Sequence, residues 1–597
     1  RVALVGRNGS GKSTLLRLIT GDEIPSSGNI TRARNLRVAV LPQDFEVDDG
    51  MNGEGLKYYE RESLAQRILV PYCPESELSG IGRKEFMNCV WYRKSIDLPE
   101  SFKGKRALLH FGAVDYHAKV YVNGQLAGEH KGGYTPFCLD VTDLLKAEGN
   151  YITLCAYDDV RGMQQPVGKQ CKFQHSAGCH YTRTTGIWQS VWMEPVDAAR
   201  LVSYKAYSDI AHCTETLQVT LTRPAIGRTL TVRALFDGRE MAVSQQNVCS
   251  EVVTVTLNLA EKHLWDLGQG NLYDLEFTLS DGEVTLDAAT GSFGLREVGL
   301  NEKGMTINGR VFFGRWVLDQ GFYPDGIYTA PSDAALKKDI EDSMRLGFNG
   351  ARLHQKVFEP RFLYWADKLG YVVWGEQASW GLDITRFDVV NWFLPEWLEA
   401  MERDFSHPSL IGWCPLNETW DIDGRRQCDD ALRMIYLATK AADPTRPVID
   451  TSGNYHVVTD LFDVHDYLQD PAEFAKCYSR IDEGIVLDQV ERATPGRQKY
   501  TGGPVFVSEY GGIKWAVGEQ QDAWGYGKSV QTPEEFLARY KGLTDALLDN
   551  EHICAFCYTQ LYDVEQEQNG LMTYDRKFKF DPALFHAINT RKAKIEE

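Results

Sequence analysis

A chain of 597 residues with 43% hydrophobic and 25% charged content is globular in composition and too long for one core, so three or more domains are expected. Its net charge of −19 argues against nucleic acid or an anionic membrane as a partner. The thirteen cysteines, an odd and scattered set, read as mostly reduced thiols in a cytoplasmic protein, and with no apolar run of about 18 residues no membrane span is expected.

The first residues, RVALVGRNGSGKST, do not read as a signal peptide. Residues 1–5 read as a short apolar strand, and residues 6–13 fit G-x-x-x-x-G-K-[ST], in which Lys12 is expected to meet phosphate and Ser13 magnesium. With LPQDF at 41–45, this stretch resembles the start of an ABC-type ATPase. No acid-ended strand or second lobe follows, and LSGIG at 78–82 lies among strand-like residues. Residues 1–50 are therefore assigned as a P-loop fragment joined to a different protein.

From residue 51 to 197 apolar and polar positions alternate between Gly and Asn turns, as in ALLHFGAVDYHAKVYVNGQLAGEH, which predicts an antiparallel β-sandwich. Asn123-Gly124 tolerates positive φ at both positions and marks a two-residue hairpin turn. Residues 198–295 hold short strand candidates such as TLQVTLTR and LYDLEFTLSDG, the pattern of an immunoglobulin-like sandwich.

Residues 296–597 alternate strands with amphipathic helices, which predicts a (β/α)₈ TIM barrel. The eight strands are read at 311–317, 350–353, 371–375, 410–416, 448–451, 463–465, 505–508 and 553–558, with helices at 331–347 and 533–548 opening near Pro and Ser, Asp or Glu. Two strands run into a carboxylate: LIGWCPLNE ends at Glu418 and VFVSE at Glu509. A barrel presents catalytic groups at the C-terminal ends of its strands. Two carboxyl groups facing one cavity are what glycosidic-bond hydrolysis requires, one protonated for the leaving oxygen and one ionised. The spacing of the two fits three βα units of about 30 residues each.

Residues 71–82 (PYCPESELSGIG), 90–93 (VWYR) and 181–194 (YTRTTGIWQSVWME), together with the two acid-ended strands, resemble glycoside hydrolase family 2, which includes β-galactosidases, β-glucuronidases and β-mannosidases. The resemblance spans about residues 55–597. It implies a sugar-binding-like jelly roll at 51–197, N-terminally truncated because its first strands are displaced by the P-loop piece. It further implies an immunoglobulin-like domain at 198–295 and a catalytic TIM barrel at 296–597. It also implies retention of configuration, with Glu418 as proton donor and then base, and Glu509 as nucleophile. By the same resemblance Asn417 contacts the sugar 2-hydroxyl, Tyr467 holds the nucleophile with His465 as competitor for that place, and Arg352 and His354 come from strand two. Asp319, Trp524, Gln560 and Asn569 are candidate sugar contacts, with Asp563 on the loop after strand eight. Trp380 is a candidate wall of the pocket, and Trp413 reads as core.

β-Glucuronidases of that family carry Asn-x-Lys near the end of the barrel; here residues 565–571 read EQEQNGL, with Glu567 and Asn569 and without the lysine. That favours a neutral sugar, galactose first, with glucuronides and mannosides as alternatives. No cofactor is expected, and no ligand cluster requires a metal. A small carbohydrate is the expected partner, and homo-oligomerisation is left open. The rival readings are an ATP-binding ABC-type protein and a non-catalytic carbohydrate-binding protein.

Overall fold

The computed structural model describes residues 44–518 and 522–597. The P-loop at 6–13 lies outside the described residues. Three β-rich and α/β units follow one another along the chain, as the change in hydrophobic period predicts.

The first is a jelly-roll sandwich. One sheet has six strands, in the order Gln66–Leu69, Asp44–Asp49, Cys89–Ile96, Asn150–Tyr157, His117–Val122 and Gln125–Lys131. A second holds Val191–Val196, Arg106–Phe111 and Phe137–Asp140. Asn123 and Gly124 both adopt positive φ at the predicted hairpin.

The expected truncation is corrected at one point. Asp44–Asp49 is a strand paired antiparallel on both sides, with Gln66–Leu69 and with Cys89–Ile96. Its sequence, DFEVDD, alternates at period two, so Phe45 and Val47 are buried in the sandwich core. The stretch 44–50 thus belongs to this sandwich and not to a P-loop unit, although LPQDF reads as ATPase-like.

The immunoglobulin-like unit packs a three-stranded sheet (Leu201–Asp209, Thr214–Leu221, Val252–Asn258) on a four-stranded one (Arg239–Asn247, Thr229–Phe236, Tyr273–Asp281, Val284–Phe293). Inward Leu217, Val219, Leu230, Val232, Leu275 and Phe277 form its core.

In the barrel, seven parallel strands form one sheet, in the order Leu410–Cys414, Val372–Glu376, Gly350–Leu353, Gly314–Asp319, Ile553–Thr559, Val505–Gly511 and Phe462–Asp466. The remaining gap is bridged by Leu416–Asn417 paired with Thr451–Ser452. The helices Asp333–Arg345 and Pro533–Leu548 begin where their caps predict, with Ser332 and Thr532 side chains accepting from the N–H groups of Ala335 and Glu535. Cys554 and Cys557 form a C-x-x-C spacing within Ile553–Thr559, but residues three apart on a strand point to opposite faces. All thirteen cysteines are free thiols. Among the described residues no helix is long and apolar enough to cross a membrane.

Candidate active site

Five strand ends converge at one mouth of the barrel and deliver Arg352, Glu376, Asn417 with Glu418, His465, and Glu509. His465 and Glu509 stand opposite each other on neighbouring strands. Each ladder is irregular there, between Val464 and His465 and between Val507 and Tyr510. Such irregularities re-aim side chains. Glu418 has φ 42, in the left-handed region that a side chain disfavours by about 1–2 kcal/mol. Its N–H donates to the Ser452 carbonyl at 2.8 Å, and the next N–H, of Thr419, donates to Asn454 Oδ1 at 2.8 Å, which holds the strained turn.

One carboxylate oxygen each of Glu418 and Glu509 and a ring nitrogen of His465 all lie within 4.8 Å of one another. Two ionised carboxylates at such a distance repel by about 3 kcal/mol at an effective dielectric of 20.

Their surroundings divide the roles. The Glu509 side chain is 5% exposed, receives Arg352 Nη1 at 3.2 Å on Oε1 and the Tyr467 hydroxyl on Oε2, and has His465 Nε2 at 3.4 Å. Burial raises its pKa, but the charges of His465, His354, Arg352 and Lys169 outweigh burial and hold the carboxyl below the ordinary carboxylate range. Glu418 is more open, at 13% exposed; its Oε1 is 2.7 Å from His465 Nδ1 and its Oε2 accepts from Trp420 Nε1 at 3.3 Å.

Arg352 is the hub beneath the pair. It donates to Glu376 at 2.8 Å, Asn417 Oδ1 at 2.9 Å, the Ser508 carbonyl at 2.9 Å and Glu509. Glu376 also lies 3.0 Å from His354 Nδ1. Burial raises the Glu376 pKa, but Arg352 and His354 bring it below the ordinary value, so it stays an anion and fixes the guanidinium.

His465 joins the two acids. Ser452 Oγ donates to Asp463 Oδ2 at 2.6 Å and lies 3.1 Å from His465 Nε2, which also stands 3.4 Å from Arg352 Nη1. Nδ1 either donates to the Glu418 carboxylate or accepts from its carboxyl. Burial lowers the His465 pKa, but Glu509 and Glu418 raise it above the ordinary value. The ring fits only because residue 453 is glycine: a Cβ there, at φ +87, would lie 2.3 Å from Nδ1.

The sequence-predicted residues sort as follows. Glu418, Glu509, Asn417, Arg352, His354, His465 and Tyr467 come together. Tyr467 donates to Glu509, whereas His465 bridges the two carboxylates. The Asn417 amide nitrogen is buried without a protein partner. Gln560 donates to Asn569, and Asn569 to Glu567, each at 2.9 Å. Trp524 is stitched to this loop, its N–H donating to the Gln566 carbonyl at 2.8 Å, with its ring edge-on to Tyr526. Asp319 is buried, with Oδ1 accepting from the Gly321 N–H and the Tyr562 hydroxyl. Asp563 is likewise buried and pairs with Lys579 at 2.6 Å. Trp413 is core, as read.

Sequence reasoning missed four residues. Glu376 ends a strand, VVWGE, by the same signal as Glu418 and Glu509. Tyr526 stacks on Tyr467 at 3.4 Å. Tyr181 and Lys169 arrive from the jelly roll: the Tyr181 hydroxyl donates to Glu567, and Lys169 lies over Trp380. Of the described residues that could hold a metal ion, Glu418, His465 and Glu509 are one group, but the Arg352 guanidinium already stands at Glu509. Asp482, Glu551 and His552 are the other, at the surface.

Three models of one family match the chain: glycosyl hydrolases family 2 sugar binding domain at 82–192, glycosyl hydrolases family 2 at 202–296, and its TIM barrel domain at 330–592. The chain belongs to glycosyl hydrolases family 2. An ABC transporter model also matches, at residues 1–80, and overlaps the first strands of the jelly roll. A beta-galactosidase of Thermoanaerobacter pseudethanolicus is 28% identical over 350 residues, 55% of this chain and 45% of that protein. A beta-glucuronidase of Streptococcus agalactiae is 23% identical over 469 residues, 72% of this chain and 75% of that one. The chain spans about half the length of several curated relatives it matches, 45%, 42% and 53% of three of them. Among solved structures, a β-glucuronidase from Ruminococcus gnavus matches with TM-score 0.77 at 17% identity, over 95% of this chain and 99% of that one. One from Bifidobacterium dentium, complexed with coumarin-3-O-glucuronide, matches with TM-score 0.77 at 20% identity, over 94% and 98%. At these identities the likeness is one of fold.

Proposed function

We propose that this chain is a retaining exo-β-glycosidase that removes terminal, non-reducing, neutral β-linked sugars, β-D-galactosides first. The observation that carries the reading is the Glu418–Glu509 pair, with oxygens within 4.8 Å and unlike surroundings. Retaining enzymes separate their carboxyl groups by about 5–5.5 Å, against about 6.5–9.5 Å where a water must fit between acid and base.

Glu509, kept ionised by Arg352, Tyr467 and His465, attacks the anomeric carbon. Glu418, on the more open side, gives its proton to the leaving oxygen and then takes one from water. The unpartnered Asn417 amide donates to the sugar 2-hydroxyl beside the reacting carbon. Support for a neutral sugar comes from Glu567, a buried carboxylate held by Tyr181 and Asn569, beside which a uronate would bring a further anion.

A panel of p-nitrophenyl β-glycosides at neutral pH tests this. The galactoside is expected to give the highest kcat/KM and the glucuronide the lowest. Preference for the glucuronide would overturn the sugar, and no release from any member would overturn the glycosidase.

A further inference from the structure

Jelly-roll residues 165–182 form one side of the barrel mouth, and Lys169 is the basic side chain they bring there. The backbone before it adds to the loop after barrel strand three: Val167 N–H donates to the Trp380 carbonyl at 2.8 Å, and Gly168 N–H to the Ala378 carbonyl at 3.2 Å. Gly168 has φ +62, and a Cβ there would lie 2.3 Å from the Gln355 carbonyl oxygen, so only glycine lets the two domains approach this closely. On the other side the Lys169 carbonyl accepts from the Tyr181 N–H at 2.8 Å.

Lys169 is 6% exposed, and its Nζ sits 4.3 Å from the centre of the Trp380 ring. Trp380 in turn donates from Nε1 to the carbonyl of Asn417, the residue before Glu418. Among the described residues the ammonium has no hydrogen bond and no carboxylate within 4.0 Å. An aromatic face compensates a buried cation on one side only, which leaves its N–H donors without an acceptor oxygen. Nor is Lys169 needed to satisfy Glu567, since Tyr181 and Asn569 already donate to both of its oxygens. Its charge nevertheless acts on Glu567, Glu509 and Glu418.

We propose that Lys169 is a substrate-binding residue whose ammonium donates to a hydroxyl oxygen of the sugar held between Glu418 and Glu509. With Glu567 as the nearby acceptor, the site offers a sugar diol one donor and one acceptor. The assignment of a hydroxyl rather than a carboxylate rests on the neutral-sugar reading above.

The test is steady-state kinetics of the whole chain, Lys169→Met and Lys169→Arg on an aryl β-galactoside and its 2-, 3-, 4- and 6-deoxy analogues. Loss of one charged hydrogen bond predicts a fall in kcat/KM of about ten- to a hundredfold for Lys169→Met, with partial recovery in Lys169→Arg. One deoxy analogue is expected to cost the parent chain a similar factor and to cost Lys169→Met nothing further. Retention by Lys169→Met of the parent's full penalty on every deoxy analogue overturns the proposal, as does near-parent activity. A parent preference for the glucuronide that Lys169→Met abolishes overturns the hydroxyl in favour of a carboxylate. Should the parent release no aryl β-glycoside, the glycosidase reading falls while calorimetric titration with galactose still tests the lysine. Tenfold weaker binding by Lys169→Met then supports it; equal affinity, or no binding by the parent, overturns it.

Discussion

Glu509→Gln keeps the shape of the side chain and removes the charge that Arg352, Tyr467 and His465 surround, so kcat is expected to fall by several orders of magnitude with the circular dichroism spectrum unchanged. Glu418→Gln should behave differently because only the proton is lost. On a p-nitrophenyl or alkyl galactoside the glycosylation step should slow by about 10²–10⁴-fold. On a 2,4-dinitrophenyl galactoside, whose leaving group needs no proton, that step should hardly change. Pre-steady-state bursts on the two aryl glycosides separate these cases, and equal losses on both would remove Glu418 from the acid role. Both acids were legible in the sequence because an apolar strand running into a carboxylate is a local pattern. Glu376 shows the same pattern in VVWGE, yet what it does depends on Arg352, which another strand supplies. His465 was legible as a site residue but not as a bridge, since nothing in VHDYL tells which ring nitrogen meets which acid. Lys169 and Tyr181 had no local signal: their role exists only once the jelly roll docks on the barrel.

At the scale of elements, seven of the eight predicted barrel strands fall within a few residues of their observed ends, because buried parallel strands are uninterrupted apolar runs between turns. The fifth is the exception. Read at 448–451, it is reduced to a bridge at Val448 and a two-residue pairing at Thr451–Ser452, where side chains turn toward His465 and Asp463. The strand Asp44–Asp49 was hidden for another reason: LPQDF fits two contexts, and composition does not choose between them. Burial does. Phe45 is 3% exposed in the sandwich core, so Phe45→Ala should cost about 3–5 kcal/mol in the jelly roll. Scanning calorimetry should show its transition at a lower temperature, while galactoside release well below that transition is kept. An unchanged transition would mean that this strand does not contribute to the sandwich.

Across the whole molecule, the jelly roll and barrel meet over buried acids, and this makes their docking sensitive to pH. Glu396, on the barrel helix Val390–Asp404, accepts the Tyr134 N–H at 2.6 Å from the jelly roll, while its neighbour Glu399 meets Thr135 at 2.7 Å and His130 at 2.9 Å. Burial pushes Glu396 up to about 8, and burial likewise raises Asp115 and Glu75 on the jelly-roll side. The sign follows from where the protons sit. Between the ordinary carboxylate value near 4.5 and about 8, folded Glu396 keeps a proton that the unfolded chain has released, so stability falls as pH rises through that window. The loss amounts to a few kcal/mol, at 1.36 kcal/mol per pKa unit. Glu399, whose pKa is raised by burial but lowered further by His130 and Thr135, works in the opposite sense, but only below the ordinary carboxylate range. Thermal midpoints measured from pH 5 to 9 should therefore decline steadily in the parent chain and less steeply in Glu396→Gln, which keeps the acceptor for Tyr134 without a titrating proton. Because this helix follows the loop that holds Trp380, the same undocking should withdraw Lys169 and Tyr181 from the mouth and raise KM before the barrel itself unfolds. Parallel pH profiles for the two chains would place the coupling elsewhere.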